Sequence, residues 1–163
     1  VAPVIPGPLD AAEMQRFLDT FLYHEDVFLV DRIREVDPEE RRIEAVLDTG
    51  RALPISDRQR VNDHHPAHVS APETIMVTGC LGCLHAWFFH GCRWDEGWAG
   101  FGNRIHRADF RKLARRGPPL ELQSLEVRSR KQPRRLIVRY QFRFRQDGEL
   151  VYFGEQSAMF VRD

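Results

Sequence analysis

From Pro72 to His90 the chain is apolar on nearly every side, with Ile75, Val77, Leu81, Leu84, Trp87 and Phe88 leaving no continuous polar stripe. A helix of that character must be surrounded by other parts of a fold. Its longest apolar run, Cys80 to Phe89, is interrupted by Gly82 and His85 and is far short of the roughly 20 residues that cross a bilayer. What surrounds the helix must therefore be protein.

The flanking patterns supply the wrapping. Leu136, Val138, Tyr140, Phe142 and Phe144 alternate with Arg139, Gln141, Arg143 and Arg145, the period of a half-buried antiparallel strand. Asp147-Gly148 predicts a hairpin turn, and Leu150 to Arg162 a closing strand. Before the helix, a strand is expected over about Val27 to Val36 and another near Arg42 to Leu47, joined by Asp37-Pro38. A shorter helix is expected over 9–22, with Asp10 as its cap, Glu13 as capping-box partner and Leu9 and Met14 as a staple. Residues 49–70 are polar and aperiodic, a long loop of the kind that is often functional. Two strands, a buried helix and about four more strands form an α+β layout, with the sheet curled round the Pro72–His90 helix.

The length of 163 residues suits one domain, 1–163, with 1–8 as a flexible arm. Lys+Arg and Asp+Glu both number 24, so net charge gives no case for nucleic acid or a membrane surface. Three cysteines, Cys80, Cys83 and Cys92, favour free thiols in a reducing compartment and a cytoplasmic setting. Cys80 and Cys83 lie inside the apolar helix with no second pair, which reads as small core residues.

Several strings bear a resemblance. Phe28-Leu29-Val30-Asp31-Arg32-Ile33, the loop from His64 to Glu73, and Arg107-Ala108-Asp109-Phe110-Arg111-Lys112 followed by Gly117-Pro118 resemble, in this order, segments of the hotdog superfamily and within it the β-hydroxyacyl-acyl-carrier-protein dehydratases. His64, Pro66 and Pro72 match the family's loop motif, whereas Ala67, Val69 and Glu73 replace its glycines and middle proline. The resemblance implies a hotdog fold, a homodimer or higher oligomer, and a substrate carried on the phosphopantetheine of acyl carrier protein or coenzyme A, with no metal or further cofactor. It implies His64 as the base that removes the α-proton and the helix start at Glu73–Thr74 as the binder of the thioester oxygen. The family's acid falls on Thr78, whose hydroxyl is far too weak an acid to replace a carboxyl group and at best positions a water. His68-Val69-Ser70-Ala71-Pro72-Glu73 is also similar to a string of long-chain acyl-coenzyme A thioesterases of the mycobacterial type, which makes His68 and Glu73 the candidates for activating a water.

The expected function is thus a divergent 3-hydroxyacyl thioester dehydratase, with an acyl thioesterase and a non-catalytic acyl-chain or carrier binding module as alternatives. His64, His68 and Glu73 are the catalytic candidates, and Pro72, Thr74 and Thr78 the substrate-binding ones. Plainer readings stand beside them. Ser70 and Glu73 form a Ser-x-x-Glu capping box. His64, His65 and His68 lack the spacing of a zinc site. The basic strings Arg111, Lys112, Arg115, Arg116 and Arg128, Arg130, Lys131, Arg134, Arg135 are solvated faces or a surface for an acidic carrier or coenzyme A phosphates.

Overall fold

The structure, a computed structural model, describes residues 10–163 and the backbone of Ile5–Pro6. Seven strands, β1 (Ile5–Pro6), β2 (Arg32–Asp37), β3 (Arg42–Leu47), β4 (Trp98–Phe110), β5 (Leu120–Gln132), β6 (Arg135–Gln146) and β7 (Glu149–Arg162), form one antiparallel sheet in the order β1-β2-β3-β5-β6-β7-β4. The sheet curls around α2 (Ala71–His90), and α1 (Ala11–Thr20) lies beyond the helix. Every expected element after residue 36 is present. The expected first strand begins later, at Arg32, because Glu25–Val27 forms a 3-10 turn and Phe28, Leu29 and Val30 go into the core without regular pairing. Part of the expected arm is strand: Ile5 and Pro6 pair with Val36 and Glu35. Leu9, the proposed half of a staple, lies outside the described residues.

The alternation on β6 sorts as read: Leu136, Val138, Tyr140, Phe142 and Phe144 are buried against α2, while the arginines between them face outward. Asp147 and Gly148 both take positive φ, which matches the right-handed twist of the two strands they join. At the other side of α2, Trp87 meets Phe17 of α1 at 5.3 Å between ring centroids, and Phe17 meets Phe28 at the same separation. Asp10 caps α1 alone, accepting from the backbone of Ala12 and Glu13. Glu13 is not its capping partner. Its carboxylate accepts from Trp87 Nε1 at 2.8 Å and pairs with Arg93 at 3.1 Å, because the indole N–H of the buried Trp87 needs an acceptor that the apolar core does not offer.

The loop 49–70 is aperiodic as expected, yet it is held at many points. Arg116 reaches the carbonyls of Thr49 and Arg51 and the Asp57 carboxylate. Val69 N–H donates to the Ala114 carbonyl at 2.8 Å, so the loop's last residues run beside the segment that follows β4. Among the described residues no helix is long and apolar enough to cross a membrane.

Two glycines of the sheet are required by close packing, Gly100 against the Phe160 ring and Gly154 against the Tyr152 ring. A Cβ on Gly154 would lie 2.8 Å from the Tyr152 ring, which folds back over it. Gly154→Ala is expected to cost about 1–3 kcal/mol as an overpacking change. Urea unfolding checks this, and an unchanged midpoint would mean the ring swings aside freely.

Candidate functional site

Two cavities lie along one side of α2. The first, of about 340 Å³, sits at the N-terminal end of the helix and is lined by His68, Ala71 and Thr74, by Tyr152, and by Arg111 and Lys112 at its rim. The second, of about 430 Å³, lies beside the middle of the helix, between Thr78, Gly79 and Gly82 on one side and Tyr140, Phe142 and Gln156 on the other. Gly79 has nothing within 4 Å of where a Cβ would stand, so the absent side chain leaves room against the helix. Neither cavity is lined by an aspartate or a glutamate.

The predicted residues part company here. His68 is half-buried and lines the first cavity. Its Nδ1 lies 2.7 Å from the Pro66 carbonyl, which can only accept, so the proton of the neutral ring sits on Nδ1. That leaves a lone pair on Nε2, toward which the Gln59 amide donates at 3.3 Å. His65 packs edge-on against this ring and donates from Nδ1 to the Arg60 carbonyl. His64 stands exposed in a tight turn closed by Asn62 and His65; its backbone N–H donates to Asn62 Oδ1, and its side chain lines neither cavity.

Glu73 is fully buried and lines neither cavity. Its carboxylate accepts from the backbone of Ile55 at 2.9 Å, the backbone of Ser56 at 2.7 Å, the Ser56 hydroxyl and the Ser70 hydroxyl. Burial alone would raise its pKa, but these donors outweigh burial and hold it below the usual carboxylate range. The side chain ties the loop to the helix, and its four acceptor bonds leave it no position from which to aim a water. Ser70 completes the expected cap, accepting from Glu73 N–H at 3.3 Å.

This capping also changes which backbone group is free for a ligand. Glu73 N–H is taken by the Ser70 hydroxyl, and Thr74 N–H by the Ser70 carbonyl at 3.0 Å. Pro72 has no N–H; it is exposed at the second helical position and lines neither cavity. Ala71 N–H, beside His68 in the first cavity, is the donor at the helix start that remains without a partner among the described residues.

Thr78, at the position of the expected acid, donates to the Ile75 carbonyl and accepts from Gln156 Nε2 at 3.0 Å. Gln156 Oε1 in turn accepts from the Tyr152 hydroxyl at 3.3 Å. This polar chain, which sequence reading missed, runs from one cavity wall to the other: Tyr152 lines the first, Thr78 and Gln156 the second. Strand parity is the signal that marks it, since Tyr152, Gln156 and Phe160 share the inward face of β7. The thiols of Cys80 and Cys92 are pushed up to about 11, first by burial, which leaves them unreactive near neutral pH.

No protein-family model matches the chain, and no curated protein matches it. Solved structures do match in fold. Thioesterase PA1618 of Pseudomonas aeruginosa shares 10% identity over 92% of this chain and 94% of its own, with a TM-score of 0.59. A putative thioesterase of Shewanella oneidensis shares 12% identity over 93% and 99%, with a TM-score of 0.61. Thioesterase HI1161 of Haemophilus influenzae shares 12% identity over 91% and 90%, with a TM-score of 0.54.

Proposed function

We propose that this protein, which has the hotdog fold, hydrolyses an acyl thioester with His68 as the general base. The observation that carries the reading is the first cavity, lined both by His68, whose Nε2 would have to exchange the Gln59 amide for a water, and by Ala71, whose N–H has no partner among the described residues. A water deprotonated by His68 attacks the thioester carbonyl, and the helix start, through Ala71 N–H and its dipole, takes up the charge that builds on the oxygen. The acyl chain runs on into the second, largely apolar cavity. Arg111 and Lys112 at the rim suit the phosphates of coenzyme A or of a carrier's phosphopantetheine.

Leaving-group chemistry favours hydrolysis over dehydration. A thiol has a pKa near ~8.5, so the thiolate departs without help from an acid. Hydroxide is the conjugate base of water, with a pKa near ~15.7, so loss of a β-hydroxyl needs a proton donor. With Thr78 at the acid's position and no carboxylate in either cavity, elimination lacks that donor while hydrolysis does not need one. The structural likeness to thioesterases agrees with this order of preference.

A second copy completes the architecture. β4 is one edge of the sheet, opposite β1, and Phe101, Ile105 and Phe110 on it are each half-exposed or more. Beside them α2 leaves Gly79 exposed and Ile75 and Met76 only half-buried. An exposed apolar edge strand is a template for pairing, and a homodimer joined along β4 would cover both features.

The test is product analysis with saturated and 3-hydroxyacyl thioesters. Free acid is expected from the wild type, with kcat falling about 100-fold in His68→Ala. Loss of water instead of free acid would restore the dehydratase, and retention of acyl carrier without turnover would make the protein a binding module. A loss at His64→Ala as large as that at His68→Ala would move the base to His64.

A further inference from the structure

We infer that the outer face of the sheet carries a site for a phosphate-type dianion, formed by Arg104, His106, Arg139 and Ser157. The site is independent of the hydrolase reading, since Arg104, His106 and Arg139 line neither cavity. Residues paired across a ladder share one face of a sheet. One such row reads Arg104 on β4, Ser157 on β7, Arg139 on β6 and Arg128 on β5. Arg139 faces away from α2, and its row faces the same way. Neighbouring strands lie about 4.8 Å apart, which sets the backbones of Arg104 and Arg139 about 10 Å from each other with Ser157 between them.

The charge of this row is not balanced from within. Arg128 and Arg139 are direct cross-strand partners, and like charges so placed repel. Arg139 has Glu155 at 3.1 Å, and that carboxylate also accepts from Gln141 at 3.3 Å. Arg104 and Arg128 have no ion-pair partner among the described residues, and Arg107, the next cation along β4, is committed to Asp109. Three positive charges stand against one negative, a sum that a dianion neutralises and a monoanion does not. Guanidinium groups suit the task, because their forked donors match the oxygens of a phosphate.

β4 brings the remaining group. Its pairing slips between Ile105 and Arg107, leaving His106 as the extra residue of a bulge, a device that re-aims a side chain. The exposed ring meets Ser157, with Nε2 at 2.6 Å from Oγ. Loss of hydration, then the charges of Arg139 and Arg104, lower the His106 pKa, and Glu155 opposes them. The ring is therefore mostly neutral at pH 7, and its proton affinity is governed by the two arginines that an anion would cover. A dianion over the row cancels those charges and lets the ring take a proton. Nε2–H then donates to Ser157 Oγ, and the serine hydrogen is released toward the anion.

The experiment follows the His106 ring by NMR through a pH titration of the full chain, in sulfate, a dianion throughout the range, and in chloride at equal ionic strength. Sulfate is expected to raise the His106 midpoint by about one pH unit, which corresponds to about tenfold tighter binding to the charged ring. His24, exposed beside Glu25 and Asp26, is the internal reference and should titrate alike in both salts. The rise should disappear in Arg139→Gln and in Arg104→Gln, the latter on the edge strand, where a change of fold is least expected. Calorimetry with inorganic phosphate and with glycerol phosphate then separates the sources: tighter binding of the first assigns the site to the free ion, of the second to a phosphate monoester. Equal midpoints in the two salts, a rise that survives both substitutions, or heats for neither phosphate overturns the inference.

Discussion

Replacing Glu73 by alanine is expected to lower the unfolding free energy by about 3–5 kcal/mol, the range for removing one partner from a buried charged network. The carboxylate is the acceptor for two backbone N–H groups and two hydroxyls, all at the junction of the 49–70 loop with α2. The hydroxyls of Ser56 and Ser70 can turn to other acceptors; the N–H groups of Ile55 and Ser56 cannot, and an unsatisfied buried donor keeps its full desolvation cost. Glu73→Gln should cost less, about 1–3 kcal/mol, since its carbonyl can serve Ser56 while its NH2 is set against the Ile55 N–H. The pH dependence has a definite sign. The folded pKa lies below the ordinary value, so the unfolded chain takes up the proton first as pH falls. The stabilisation is complete above the ordinary carboxylate range near ~4.3 and disappears as pH drops through the folded value. Urea unfolding of both variants checks the size, and hydrogen exchange at Ile55 and Ser56 checks the place. Protection of those amides unchanged in Glu73→Ala would sink the tether.

Much of this architecture could be read from the chain because its signals are local. The all-round apolarity of 72–90 required a sheet to enclose it, and the alternation on β6 fixed which face does so. Ser70 and Glu73, three apart before an apolar run, announced the helix start. What sequence could not supply was the direction of side chains in an aperiodic loop. His64 and His68 are both loop histidines on paper, and only the tight Asn62–His65 turn sends one into solvent while the Pro66 carbonyl orients the other. Glu73 misled for a related reason: its partners Ile55 and Ser56 lie 18 and 17 residues away, across a loop without a period. Polar residues at inward strand positions were the readable signal left unread. On β5, Leu120, Leu122, Ser124 and Glu126 share the buried face, so a serine and a glutamate had to meet something polar on the helix. They meet His85 and His90.

That meeting underlies the second large effect: Glu126→Ala is expected to destabilise the fold by about 3–5 kcal/mol near neutral pH, with the difference from wild type narrowing in acid. Glu126 is almost wholly buried under the sheet, where β5 bulges at Val127. Its Oε1 accepts from His90 Nε2 at 2.7 Å, with Arg41 Nη1 at 3.9 Å, and its Oε2 stands 3.6 Å from His85 Nδ1, too far for a hydrogen bond. His85 is anchored through Nε2 to Ser124 Oγ at 2.8 Å. Burial alone would raise the pKa of Glu126; the two imidazoles, with the His90 hydrogen bond foremost in geometry, bring it down to about 2. Against an unfolded value near ~4.3, that depression is equivalent to about 3 kcal/mol, present above pH ~4.3 and lost as pH falls toward 2. Burial also pushes the His85 pKa below its ordinary value, so the folded state resists charging that ring and loses further stability as pH falls below about 6.5. This second loss is no smaller in the alanine variant, because Glu126 is what raises the His85 pKa against burial; the difference between wild type and variant therefore has to be read beside Glu126→Gln. Urea unfolding of wild type, Glu126→Ala and Glu126→Gln at pH 7 and pH 3 supplies it. Glutamine retains an acceptor for His90 N–H but no charge, so its residual deficit at pH 7 isolates the electrostatic part. If the alanine variant is equally far below wild type at both pH values, the buried carboxylate holds α2 to β5 by packing and hydrogen bonding alone.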